Sequence, residues 1–298
     1  MFRKTASWPA IRFFFSDAEK SSIMYSLFRA GNAVCRQRSD GQTRSETERK
    51  IISDMNETEY NYSSYSQEAL RKNPEMNNAV QKSILKAYGL MFTGLLVSGI
   101  VAFVFYYFGL TLQMLMNFPM LALILPIVQI GLTIAFTFQM NRATATSCKV
   151  IFFVYAFTMG ISLSTLAYAY TTGEIFAAFL IAALYFGTLV FIGVTTKKDL
   201  TKLGTISIAA LVVLLISQLV LMIFRAGIDT RLIAAAGLLI FAGLTAWDVQ
   251  RLNKTMLYAD GEPVAREKWA VFFALELYLD FINIFLYILR LLGSRSSR

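Results

Sequence analysis

Asp248 and Asp280 lie within the last two of seven apolar stretches, at positions where hydrocarbon surrounds an ordinary side chain. An ionised carboxylate at bilayer depth costs at least ~2.5–3.5 kcal/mol. Such a residue is kept where it faces a water-filled cavity or binds something, so two of them in successive stretches are the first candidates for function. In the last stretch Glu276, Asp280, Asn283 and Tyr287 follow one another at steps of four, three and four residues, which places them on one helical face. Asp280 stands eleven residues beyond Trp269. At ~1.5 Å per residue that is about 16 Å, near the middle of a ~30 Å hydrocarbon core. The face is expected to look into a bundle, and two carboxylates one turn apart resist carrying charge together in a low dielectric. The bland alternative is a buried polar stripe that locks helix packing, which suits Asn283 and Tyr287 well.

Asp248 follows Gly243-Leu244-Thr245-Ala246-Trp247. Counting from Leu232 puts it some 24 Å along its own stretch, so simple counting leaves Asp248 and Asp280 offset along the axis. Read alone, Asp248 is equally an interfacial aspartate that reaches loop water or pairs with Arg251. A buried carboxylate draws a cation. Arg142, after Phe138-Gln139-Met140-Asn141, is the candidate able to turn inward, although composition alone favours an ordinary basic anchor. Other features are softer: Pro126 followed by Gln129, a hydroxyl stripe of Thr158, Ser162 and Thr165, and the small-residue spacing of Gly94 and Ser98.

The elements that must position these residues follow from composition. Hydrophobic residues make up 56% of the 298, and 16% are charged against the ~25% usual in soluble domains. The reading is an all-α polytopic membrane protein, with spans at 85–108, 120–140, 150–170, 175–195, 205–224, 232–252 and 269–289, each near the ~20 residues a crossing needs. Residues 1–54 are expected to be a disordered extension, a product of an upstream start codon. Residues 55–84 form a cytoplasmic lead, 85–293 the membrane domain and 294–298 a tail. The net charge of +9 comes from basic residues gathered between apolar stretches, so membrane anchoring rather than a nucleic-acid partner is expected. Lys82, Lys86, Lys149, Lys197, Lys198, Lys202 and Lys254 would share one side, which favours a cytoplasmic N-terminus. The basic tail dissents, and a re-entrant last segment would return it to the cytoplasm. With no histidine, imidazole metal sites, Ser-His nucleophiles and imidazole pH sensing are excluded. Cys35 and Cys148 are not expected to pair.

The run Ala274-Leu275-Glu276-Leu277-Tyr278-Leu279-Asp280-Phe281-Ile282-Asn283-Ile284-Phe285, continued by Leu289-Arg290-Leu291-Leu292-Gly293, resembles the signature of the transmembrane Bax inhibitor motif family, in its bacterial form. Thr196-Lys197-Lys198-Asp199-Leu200-Thr201, Met159-Gly160-Ile161-Ser162-Leu163 and Gly243–Asp248 agree with it, and the likeness covers about residues 75–293. It implies a seven-helix bundle with a central seventh helix, and a passive, pH-sensitive calcium leak. In that picture Asp248 and Asp280 are the proton-sensitive pair and transient calcium ligands, Arg142 latches onto the first of them, and Glu276 joins the ion pathway. Glu276 departs from the small hydroxyl residue often found there. No cofactor is implied beyond the transported calcium, and the setting is the membrane lipid of a bacterial inner membrane.

Two rivals stand beside this reading. Paired aspartates also describe intramembrane proteases, but Trp247 precedes Asp248 and no glycine precedes Asp280, so no enzyme is expected. The other is a membrane regulator that binds and restrains a membrane protease or stress-response partner, with the lead 55–84 as its tether.

Overall fold

The computed structural model describes residues 74–118, 120–140, 144–224, 230–258 and 263–293. The extension expected over 1–54, most of the lead and the tail lie outside those residues. Helix α1 spans Pro74–Tyr107. It starts inside the expected lead, because proline suits a first helical position and Glu75 meets the positive end of the helix dipole. Gly109, with φ of 67°, turns the chain left-handed into a short α2, Leu110–Asn117, where the sequence promised only a connection. Then come α3 (Leu121–Gln139), α4 (Ala145–Ser164), the single turn α5 (Leu166–Ala169), α6 (Thr172–Thr195), α7 (Thr201–Phe224), α8 (Thr230–Tyr258) and α9 (Pro263–Gly293).

Starts are written locally. The Thr144 hydroxyl accepts from the Ser147 amide to open α4, and Thr171 and Glu174 form a reciprocal capping box at α6. Pro126 lies within α3, which continues through it. The helices outrun the expected spans by up to about three turns, since a nucleated helix propagates into polar sequence at little cost. All of the described secondary structure is helical. Six helices are long and apolar enough to cross a membrane, and Ile124–Phe138 is a shorter apolar one, which together account for the seven spans. The last is a continuous helix of 31 residues, not a re-entrant loop.

Polarity is inverted relative to a soluble protein. Leu184, Phe191, Val213 and Ile130 point outward, whereas Asp248, Asp280, Thr245 and Ser98 are buried. Contiguous exposed apolar surface on this scale requires hydrocarbon as its solvent. The most enclosed element is α9: 72% of its apolar window is buried, against 17–44% for the other candidate spans. It packs on α8, α6 and α4. One stripe of α9 stays half-buried along its length: Phe272, Glu276, Leu279, Asn283, Leu286 and Arg290.

Close approach holds the bundle. The Tyr278 and Ser98 hydroxyls lie 2.6 Å apart, and the Ser98 hydroxyl faces the Ala156 carbonyl at 3.0 Å, which joins α9, α1 and α4 at one point. Tyr278 also meets Phe152 and Tyr155 edge-on. Between α6 and α8 the contact is backbone-tight: a Cβ on Gly193 would sit 2.7 Å from the Ala246 carbonyl oxygen and 2.9 Å from Val249 Cβ. Gly193→Ala is therefore expected to push these helices apart at a cost of about 1–3 kcal/mol. Gly187→Ala on the same helix meets nothing within 4 Å and should leave stability unchanged or slightly raised. Thermal unfolding of the two variants in detergent checks the contrast.

Candidate functional site

The site lies between α8 and α9, which run antiparallel, so each step along one is matched by a step back along the other. Arg251 on α8 meets Glu276 on α9, and Phe241 lies tilted against Tyr287 with ring centroids 5.9 Å apart. Between those two fixed points the register brings Asp248 level with Asp280. The axial offset that counting left between them is thereby closed. Asp248 is 5% exposed and Asp280 3%, and their carboxylates act on one another and on Glu276 electrostatically. Thr245, one turn before Asp248, is fully buried beside Asp280. Asp248 Oδ1, Asp280 Oδ2 and Thr245 Oγ1 are all buried without a hydrogen-bond partner. Unpaired polar atoms in such a place are costly, and in native structures they call for a ligand, a proton or water.

Arg251 is the cation of this site. Its guanidinium Nη2 donates to both carboxylate oxygens of Glu276. It also stands 3.8 Å from Asp248 Oδ1. Three aromatic faces surround it, with centroids 4.6 Å (Trp247), 5.3 Å (Phe273) and 5.8 Å (Phe272) away. Trp247 is braced from α7, where a Cβ on Gly204 would overlap its indole. Sequence reasoning treated Arg251 only as an interfacial partner for Asp248. The spacing of Trp247, Asp248 and Arg251 at four and three residues already places them on one face. What spacing could not show is that Glu276, from another helix, takes the guanidinium.

The remaining sequence candidates are distributed differently. The Asn283 amide donates to the Leu279 carbonyl at 2.7 Å on the half-buried stripe. Tyr287 is buried against Gly237 and Phe241, with Arg290 over its ring at 5.8 Å. Arg142 lies outside the described residues. Of the softer features, the Gln129 amide donates to the Ser162 hydroxyl at 2.8 Å, so that stripe joins α3 to α4.

Two groups of ion pairs mark the end of the bundle nearest Arg251. Lys86 and Lys149 both reach Glu267 Oε1, at 2.7 and 2.6 Å, linking α1, α4 and α9. The α6–α7 loop is tied to α8 by Gln250, which accepts from the Leu200 amide at 2.9 Å and donates to the Lys198 carbonyl at 2.9 Å. Lys254 adds a 3.1 Å contact to Asp199. The opposite end of the bundle is aromatic, with Tyr106 against Tyr168 at 5.3 Å and Tyr170 against Gly293. Lysines at one end and tyrosines at the other are the arrangement of a protein seated in a bilayer.

Fold and site together define an integral membrane helix bundle with a carboxylate pair buried near its basic end. The family described as "Inhibitor of apoptosis-promoting Bax1" matches residues 80–297. Similar curated proteins include one from Borreliella burgdorferi, 35% identical over 216 residues (72% of this chain and 93% of that one). One from Rickettsia prowazekii is 32% identical over 229 residues, covering 75% and 94%. The inner membrane protein YbhL of Escherichia coli K12 is 30% identical over 217 residues, covering 72% and 93%. The chain belongs to the Bax inhibitor family.

The Asp199–Lys254 pair also carries a pH signature outside the membrane. Burial pushes the Asp199 carboxyl up, but hydrogen bonds from Thr201 and Lys254 outweigh it and hold the group below its ordinary value. A depressed carboxylate stabilises the fold above the unfolded value of about 3.9, and that contribution is lost as pH falls through the lowered one. Asp199 is half exposed, with 51% of its side chain accessible, so the effect is small. Asp199→Asn should lower stability by less than ~1 kcal/mol at neutral pH, and the gap to wild type should close in strong acid. Unfolding midpoints of both proteins at neutral and at acidic pH check this.

Proposed function

We propose that this protein forms a passive, pH-sensitive calcium leak path, with Asp248 and Asp280 as its proton-sensitive element. The observation that carries the reading is the pair of buried carboxylates with partnerless oxygens, level with each other across α8 and α9. Three carboxylates share one guanidinium in this region, so a cation or protons must balance the remaining charge. Calcium is a hard cation that takes carboxylate, hydroxyl and carbonyl oxygens. Among the described residues no three acidic or cysteine side chains form a metal cage. A passing ion would rely on the two aspartates, Thr245 and backbone carbonyls. With both aspartates ionised the pair repels unless a cation lies between them. A proton on either removes the repulsion together with the charge that draws calcium. Protonation thus biases two arrangements of the helix pair.

The half-buried stripe along α9 supports the same reading. It runs from Phe272 through Glu276 and Asn283 to Arg290 and borders the aspartates for the length of the helix. The lysine-rich end belongs in the cytoplasm by the positive-inside rule, with the membrane in question a bacterial inner membrane. The role is transport without chemistry on a substrate, so the protein is not an enzyme and holds no resident cofactor.

Calcium efflux from liposomes containing the purified protein tests this across acidic and alkaline pH. Asp280→Asn should cut the flux by about tenfold, since one carboxylate ligand is lost, and should flatten the pH profile. An unaltered rate and profile in the variant would remove the hypothesis.

A further inference from the structure

The guanidinium at the mouth of the aspartate pair has two anions within reach and is engaged by one of them. It is seated on Glu276, with Nη2 donating to both carboxylate oxygens, yet Asp248 Oδ1, which has no hydrogen-bond partner, lies 3.8 Å away. A displacement on the order of 1 Å would turn that separation into a charge-assisted hydrogen bond. The ring faces of Trp247, Phe272 and Phe273 line its surroundings, so the cation can pivot without leaving a favourable environment. The position is also a boundary. The side chains of Arg251 and Glu276 are 31% and 24% accessible, whereas the Asp248 side chain is 7% accessible. Lys254, paired with Asp199, stands three residues nearer the basic end on the same helix. An ion travelling between the basic end and the aspartates meets Arg251 first.

We infer that Arg251 is a tethered cation poised to plug the basic-end entrance of the aspartate pair, and that Glu276 is the positioning residue that holds it off Asp248. The inference rests on the leak path proposed above and assigns its regulation. Glu276 then acts as the tether's anchor. With Glu276 charged, the guanidinium is held to one side and the aspartates keep their attraction for a cation. Without that charge, the guanidinium moves onto Asp248, neutralises the pair and blocks it from within.

This arrangement has a signature that a simple helix-to-helix brace lacks, because the two partners act in opposite senses. The full chain is reconstituted in liposomes loaded with calcium ions and a calcium-sensitive dye, and efflux is compared among wild type, Arg251→Gln, Glu276→Gln, Arg251→Lys and Asp280→Asn. Arg251→Gln removes the like charge that an incoming calcium ion meets at the entrance and should raise the initial rate about threefold, whereas freeing the cation in Glu276→Gln should lower it by about tenfold. Arg251→Lys keeps the charge but loses the planar guanidinium seated among Trp247, Phe272 and Phe273, so its cation is freer to move onto Asp248 and it should leak about threefold more slowly than wild type. It carries the test if the glutamine variant does not fold. Changes of the same sign in Arg251→Gln and Glu276→Gln, or no change in either the lysine or the glutamine variant of Arg251, would overturn the plug while Asp280-dependent flux left the leak path standing. Wild-type flux that Asp280→Asn leaves untouched would instead overturn the leak path and the plug with it.

Discussion

Charge balance inside a medium that tolerates little charge governs this bundle. Asp248, Glu276 and Asp280 bring three carboxylates to one short region between α8 and α9, with Arg251 as the cation among them. Moving an ion from water into a protein interior costs several kcal/mol even after relaxation, so each of these groups demands an opposite charge, a proton or water. The helices around them follow from that demand. The central helix turns Asp280 and Tyr287 toward α8, buries its apolar flanks against α6 and α4, and leaves a half-buried stripe through Glu276 and Asn283.

The rest of the architecture keeps this pair of helices in register. Hydrophobic burial gives no preference between helices in lipid, because hydrocarbon tails are as apolar as leucine, so close packing and a few polar contacts decide. Gly193 lets α6 lie on the backbone of α8, Gly204 makes room for the indole of Trp247, and Gly237 does the same for Tyr287. The hydroxyls of Ser98 and Tyr278 join α1 to the central helix at 2.6 Å. Glu267, shared by Lys86 and Lys149, anchors the basic end of that helix. Moving α8 against α9 by one residue would separate Arg251 from Glu276 and Phe241 from Tyr287 together, so register and charge pairing are one constraint.

Much of the candidate site was readable because intramembrane acids stand out against an apolar background. Asp248 and Asp280 needed no structure to be singled out, and the helical spacing of Glu276, Asp280, Asn283 and Tyr287 was evident. Their fates within that face were not. Asp280 and Tyr287 are sealed against α8, whereas Glu276 and Asn283, rotated slightly away, lie on the half-buried stripe. A periodicity of 3.6 residues defines a face about a quarter-turn wide but cannot say where a neighbouring helix ends. Arg251 illustrates the same limit. Sequence offered it only as a partner for Asp248 on its own helix, and only the position of α9 revealed that Glu276 takes the guanidinium.

Composition and pattern by themselves determined that the chain is an all-helical membrane protein, where its spans lie to within about three turns, and which acids sit inside them. Those properties are local: hydrocarbon forces each span to satisfy its own backbone, and a charge in an apolar run is visible without its neighbours. The relative height of Asp248 and Asp280, the seating of Arg251 on Glu276 and the enclosure of Thr245 were decided by tertiary structure alone. Each depends on the axial register of two helices whose apolar surfaces could slide past one another. That register is set by glycine contacts, an aromatic pair and one ion pair contributed by residues far apart in the chain.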